Sequence, residues 1–140
     1  SAKRKGKEIR QAYIEAIEGL DQLLAGIKSA SERGYVLSID KRKIILDSPH
    51  KALNYLLQSG AGTIAKQWML INHDHIQELK LCCSQLAFVH DELQFECEPS
   101  HARDLCSSLV LASTEAGEHY NMRVRIDAEA TIGKNWSETH

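Results

Sequence analysis

Long apolar runs are missing from these 140 residues, and so is any excess of basic charge. The first absence excludes a membrane-spanning helix, which needs about 20 consecutive apolar residues. No signal-peptide pattern is present either, so the expected location is the cytoplasm, a host's cytoplasm if the source is viral, with no membrane partner. The net charge of −2 excludes a uniformly basic, sequence-blind coat for nucleic acid but leaves room for a local basic groove. The four cysteines, Cys82, Cys83, Cys97 and Cys106, lack C-x-x-C spacing and read as reduced, buried thiols. Internal repeats and low-complexity tracts are absent as well. What is left has the 43% hydrophobic and 26% charged content of an ordinary globular protein. One domain of this length buries roughly two-thirds of its unfolded surface.

Taken in order, the chain opens with Lys3, Arg4, Lys5, Lys7 and Arg10, expected to be a frayed, solvated end. Ile9, Tyr13, Ile17, Leu20, Leu24 and Ile27 then recur at helical spacing. They predict one long amphipathic helix over about residues 7–31, weakened by Gly19 and Gly26 and stopped at Gly34. Residues 35–39 and 42–46 read as a small hairpin around Asp40-Lys41, and Ser48-Pro49 as the cap of a long helix. Leu53, Leu57, Gly60, Ile64, Trp68 and Ile71 mark that helix's packed stripe into the low seventies, and a second helical piece reaches Leu79. Ser100 is placed to cap a further helix carrying Leu105, Leu109, Ala112 and Ala116. Residues 122–130 alternate almost perfectly and predict a third main strand. The tail has no periodic signal. The economical architecture is α+β: a mainly antiparallel sheet, made of a central hairpin plus the C-terminal strand, with helices packed on one face.

The central hairpin carries the chemistry. Leu93-Gln94-Phe95-Glu96-Cys97-Glu98 alternates strictly, Leu86-Ala87-Phe88-Val89 is strand-like, and His90-Asp91-Glu92 lies between them. Tight turns favour Asn-Gly, Asp-Gly or a leading Gly, yet two adjacent carboxylates stand here. Paired acids at a rigid strand end suit a divalent, oxygen-seeking cation. No serine elbow precedes His90, and neighbours on a strand face opposite sides, so His90-Asp91 is not part of a nucleophilic triad. On the long helix, His50, Asn54 and Gln58 fall at i, i+4 and i+8, one polar stripe about 12 Å long. It is either a solvated face or a set of donors for the nearly sequence-blind acceptors of a DNA minor groove. His73-Asp74-His75 reads as a solvated helix end, and Trp68 and Trp136 as packing anchors.

Val89-His90-Asp91-Glu92 resembles the third motif of family A DNA polymerases, the family of bacterial DNA polymerase I and its phage relatives. Ser48 through Ala61 is similar to the segment preceding that motif in phage-type members, where residues matching Asn54 and Gln58 contact the primer–template minor groove. The residue matching His50 is arginine in bacterial members. Gly34-Tyr35-Val36 through Arg42-Lys43 resembles the family's Gly-Tyr-Val hairpin, with Lys41 where Gly is usual. Asn135-Trp136 through His140 resembles its closing Asn-Trp-x-x-x-His.

The resemblance implies the C-terminal, palm-side part of a DNA-directed DNA polymerase, with residues 1–47 as a fingers-proximal helix and hairpin and 48–140 as palm. The first metal-binding Asp motif and the fingers helix are expected in a missing N-terminal part. By the same resemblance Asp91 is a ligand of Mg²⁺ in a two-metal site only half supplied here, Glu92 supports it, and His90 contacts the primer terminus. Asn54, Gln58, His50 and Arg42 are DNA contacts, and the partners are primer–template DNA, dNTP and the missing part. Taken alone, the residues leave two other readings open. One is a metal-dependent phosphohydrolase built on His-Asp pairs; the other is a non-catalytic nucleic-acid-binding or assembly module.

Overall fold

The apolar periodicity from Ile9 to Ile27 resolves into two helices, not one, in the computed structural model, which describes residues 2–139. Helix α1 runs Ala2–Ala16 and α2 Leu20–Glu32. Gly19 separates them with φ of 81°, a left-handed conformation that only glycine adopts at little cost. The basic opening stretch is therefore helical, not frayed. It stays solvated: α1 buries no residue, and Arg4 pairs with Glu8 one turn on.

Gly34 ends α2 as expected, with φ of 79° and its N–H donating to Ser31 O. Strands β1 (Tyr35–Leu37) and β2 (Lys43–Ile45) follow, paired antiparallel with Val36 opposite Ile44. Their turn holds Lys41 at φ of 67°. A left-handed backbone at that position explains why glycine suits it and makes Lys41 mildly strained. Ala30, Val36 and Ala52 are buried here, with Ile27, Ile44, Leu46, Tyr55 and Leu56 packed around them.

Ser48 is extended but makes no side-chain cap; a 3₁₀ turn, Pro49–Lys51, leads into α3 (Ala52–Leu79) instead. Helix α3 continues through His73-Asp74-His75, because neither glycine nor proline occurs between Gly62 and Leu79. It stops where Lys80 turns left-handed and Leu81 N–H reaches back to Ile76 O. The chain divides into two compact units inside this helix, one ending at Gly60 and the other starting at Ala61.

The second unit holds β3 (Cys83–Val89), β4 (Glu92–Cys97) and α4 (Ala102–His119). A second 3₁₀ turn, Pro99–His101, precedes α4, so Glu98 and not Ser100 stands before it. Small residues Ser108, Ala112, Ser113, Ala116 and Gly117 are buried along α4. The Trp68 indole N–H of α3 donates to Leu109 O of α4 at 2.8 Å. Ser108 Oγ donates to the fully buried Asn72 Oδ1 at 2.8 Å, and His75 Nε2 meets Glu115 Oε2 at 3.0 Å. His75 is thus a tie between helices, not a solvated end.

Residues 122–130 correct the sequence reading: they are not a strand. Among the described residues, β3 and β4 pair only with each other. The alternating segment instead lies along α4, where Thr114 Oγ1 donates to Ile126 O at 3.2 Å. A Cβ on Gly117 would come within 2.8 Å of the Ile126 side chain, so glycine permits the close approach. Of the alternating apolar residues only Ile126 and Ala128 are half-buried, while Met122 and Val124 stay exposed, so the pattern finds no ladder to join. The architecture is α+β, with helices and, among the described residues, two two-stranded antiparallel sheets. No helix of the described residues is long and apolar enough to cross a membrane.

Candidate functional site

The ladder between β3 and β4 sets the geometry of the acidic tip. Val89 pairs with Glu92, leaving a two-residue turn, His90-Asp91. His90 adopts φ of 57°, a left-handed conformation uncommon for a non-glycine residue and better tolerated by histidine than by branched side chains. A bulge at Leu86 follows from the shift in register between Gln85 and Ala87, which adds twist near the tip.

The two acids are not equivalent. Asp91 lies in the turn, exposed, and its carboxylate makes no side-chain hydrogen bond or ion pair among the described residues. Glu92 begins β4 and is half-buried. Gln94, two residues along, shares its face and donates from Nε2 to Glu92 Oε1. The tail joins this arrangement: Thr139 Oγ1 is 3.5 Å from Gln94 Oε1. A 3₁₀ turn, Trp136–Glu138, positions Thr139, and Glu138 secures the turn by accepting from Lys134 N and Asn135 Nδ2. Trp136, expected as a packing anchor, is half-exposed. One carboxylate is open and the other is held.

Sequence reasoning missed Gln94 and Thr139. The period-two alternation that placed Glu92 on a strand carried the signal for Gln94, since residues i and i+2 share a face. Nothing local pointed to Thr139.

The other candidates belong to the first unit. His50 lies in the turn before α3, and Asn54 and Gln58 lie on the exposed side of the helix. Leu57, expected on the packed side, is 58% exposed beside them, while Ala52 and Leu56 face the core. Arg42 donates from Nε and N to the Asp40 carboxylate. Desolvation pushes the Asp40 carboxyl up, but hydrogen bonds from Arg42 and Ser38 outweigh it and hold the group below its ordinary value. Lys43 Nζ sits 4.9 Å over the Tyr35 ring on the same hairpin. The structure thus gathers His90, Asp91, Glu92 and Gln94 in one unit, and Arg42, His50, Asn54 and Gln58 in the other.

No three His, Cys, Asp or Glu side chains of the described residues are grouped to hold a metal ion. Asp91 and Glu92 are two oxygen donors. That donor set fits Mg²⁺, which takes one or two carboxylates and fills its remaining positions with water and phosphate.

Residues 1–138 match the family described as DNA polymerase family A. The DNA-directed DNA polymerases of Enterobacteria phage T3 and Escherichia phage T7 are each 30% identical to the chain and cover all of it. The chain spans 23% of the length of either relative. Among solved structures, the POL domain of Pol1 from M. smegmatis, in complex with DNA primer-template and dNTP, superimposes with a TM-score of 0.86 at 23% identity. That superposition covers 97% of this chain and 26% of the other, and it shows a shared fold. Motifs, fold and family match converge, and the chain belongs to DNA polymerase family A.

Proposed function

We propose that this chain is the palm-side, C-terminal part of a DNA-directed DNA polymerase and supplies one metal-binding aspartate for nucleotidyl transfer. The match to two phage polymerases over the whole chain carries the proposal. In this reading the partners are primer–template DNA, a dNTP and a further part of the polymerase bearing the second metal-binding carboxylate. Residues 1–47 serve as the fingers-proximal portion and 48–140 as the palm portion.

Asp91 and Glu92 would hold Mg²⁺, which when bound neutralises charge on the transferring phosphoryl group. Among the described residues the open Asp91 carboxylate has no side-chain partner to displace before binding a cation. Glu92, oriented by Gln94, holds its charge behind Asp91 without competing for the same position. His90, exposed in the turn, contacts the primer terminus. Asn54 and Gln58 donate to minor-groove acceptors common to every base pair, and His50 and Arg42 contact the DNA backbone. An enzyme that copies any sequence needs sequence-blind contacts of this kind.

Asp91→Asn in the full-length protein tests the reading. Incorporation should fall about a thousandfold, roughly 4 kcal/mol of transition-state stabilisation, with primer–template affinity nearly unchanged. Glu92→Gln should cost less. Retained incorporation by Asp91→Asn would refute the assignment, and a larger loss in Glu92→Gln would reverse the two roles. The 140-residue chain by itself should not extend a primer.

A further inference from the structure

The base of the β3–β4 hairpin, at the end away from the acidic turn, holds two thiols that nucleotidyl transfer does not use. Cys83 and Cys97 stand directly opposite each other in the ladder. Glu98 N–H donates to Cys82 O at 3.0 Å, so Cys82 and Glu98 occupy a hydrogen-bonded position, although Cys82 N–H turns to His101 Nδ1 at 2.8 Å. Antiparallel ladders alternate, so the next pair, Cys83 with Cys97, is of the non-hydrogen-bonded kind. Such pairs bring Cα atoms to about 4.5 Å and Cβ atoms to about 4.5–5.5 Å on one face. A disulfide needs Cα atoms about 4.4–6.8 Å apart and Cβ atoms about 3.5–4.5 Å apart. The pair meets the first condition and needs an approach of an ångström or less to meet the second.

Both thiols are free and neither is fully buried, contrary to the reading of the cysteines as buried. Cys82, one residue earlier on extended chain, points to the opposite face. Cys106 lies on α4, outside the ladder that sets the Cys83–Cys97 pairing.

We propose that Cys83 and Cys97 are a site of reversible oxidation, closing to a cross-strand disulfide when a small disulfide oxidant such as oxidised glutathione is present. One thiolate attacks a glutathione sulfur, forming a mixed disulfide and releasing one glutathione. The second thiolate attacks the protein sulfur of that mixed disulfide and releases the other. The protein loses two electrons and two protons, and the two glutathione thiols formed carry them. The closed loop contains the whole His90-Asp91-Glu92 tip, so the bond holds the strands together below it.

Burial, followed by the neighbouring thiols, pushes the Cys83 thiol up; burial, followed by the Glu98 charge, does the same to Cys97. Thiolate is therefore scarce at neutral pH, and closure should quicken as pH rises.

The test is incubation of the full-length protein with oxidised glutathione at mildly alkaline pH, alkylation of residual thiols, and peptide mapping without reduction. A peptide pair joined through Cys83 and Cys97 is expected, lost on adding dithiothreitol. It should disappear in Cys83→Ser and Cys97→Ser and persist in Cys82→Ser and Cys106→Ser. Amide exchange across the hairpin should slow in the oxidised wild type. Complete alkylation of both thiols after equilibration would overturn the proposal, as would a dominant link to Cys82, to Cys106 or between molecules. Mapping of the wild type reads all of these without depending on any variant folding.

Discussion

Gln94→Leu isolates the contact that distinguishes the two carboxylates. Leucine nearly matches glutamine in volume and suits a half-buried strand position, so the change removes the hydrogen bond to Glu92 together with the weak 3.5 Å contact from Thr139. Gln94 Nε2 donates to a charged acceptor, Glu92 Oε1, on a half-buried face. Bonds to charged groups contribute about 1.5–3 kcal/mol. Partial exposure lowers the expected figure to about 1–2 kcal/mol, or a loss of about 5- to 30-fold in rate at one decade per 1.36 kcal/mol. Single-turnover incorporation by the full-length protein, measured beside primer–template affinity, is the assay, and the loss should fall on the rate.

A double-mutant cycle with Glu92→Ala, which removes the acceptor, supplies the control, because the pair should be coupled and their effects less than additive. The Glu92→Gln amide oxygen can still accept from Gln94, so that variant separates charge from position. Full additivity, or an unchanged rate in Gln94→Leu, would refute the idea that Gln94 orients Glu92.

Asn54→Ala and Gln58→Ala should each weaken primer–template binding or extension by about 1–2 kcal/mol, equally on every template sequence; a preference for particular bases in a binding series would point to major-groove readout. Ser108→Ala leaves the buried Asn72 Oδ1 without its donor and should destabilise the fold by about 1–3 kcal/mol in urea denaturation. The Asp47 carboxyl is held below its ordinary value of 3.8 by hydrogen bonds from Lys51 and then Tyr55. A lowered folded-state value gives stability that is present above the ordinary value and lost as pH falls through the folded one. Asp47→Asn should therefore be less stable than wild type near neutrality and converge with it in acid, as followed by circular dichroism.

Local chemistry alone dictated the acidic hairpin. Strict alternation from Leu93 to Glu98, a strand-like run before His90 and an odd pair of acids between them could be read in any fold, and ordered motifs from Gly34 to His140 pointed to the family. Helix α4 and the stop at Gly34 were legible for the same reason, since period and positive φ are properties of short stretches. Tertiary structure decided what those stretches meet. The segment at 122–130 has the pattern of a strand, but a ladder needs a second backbone; the chain runs beside α4 instead, where Ile126 is half-buried and Met122 and Val124 stay exposed. Gly19 could have been tolerated within one helix, yet its backbone turned left-handed and made two. Thr139 reaches Gln94 across 45 residues, and Cys83 meets Cys97 only through the register of the ladder. Periodicity shows which residues share a side; whether that side is covered, and by what, is set by long-range packing, which no short window of sequence contains.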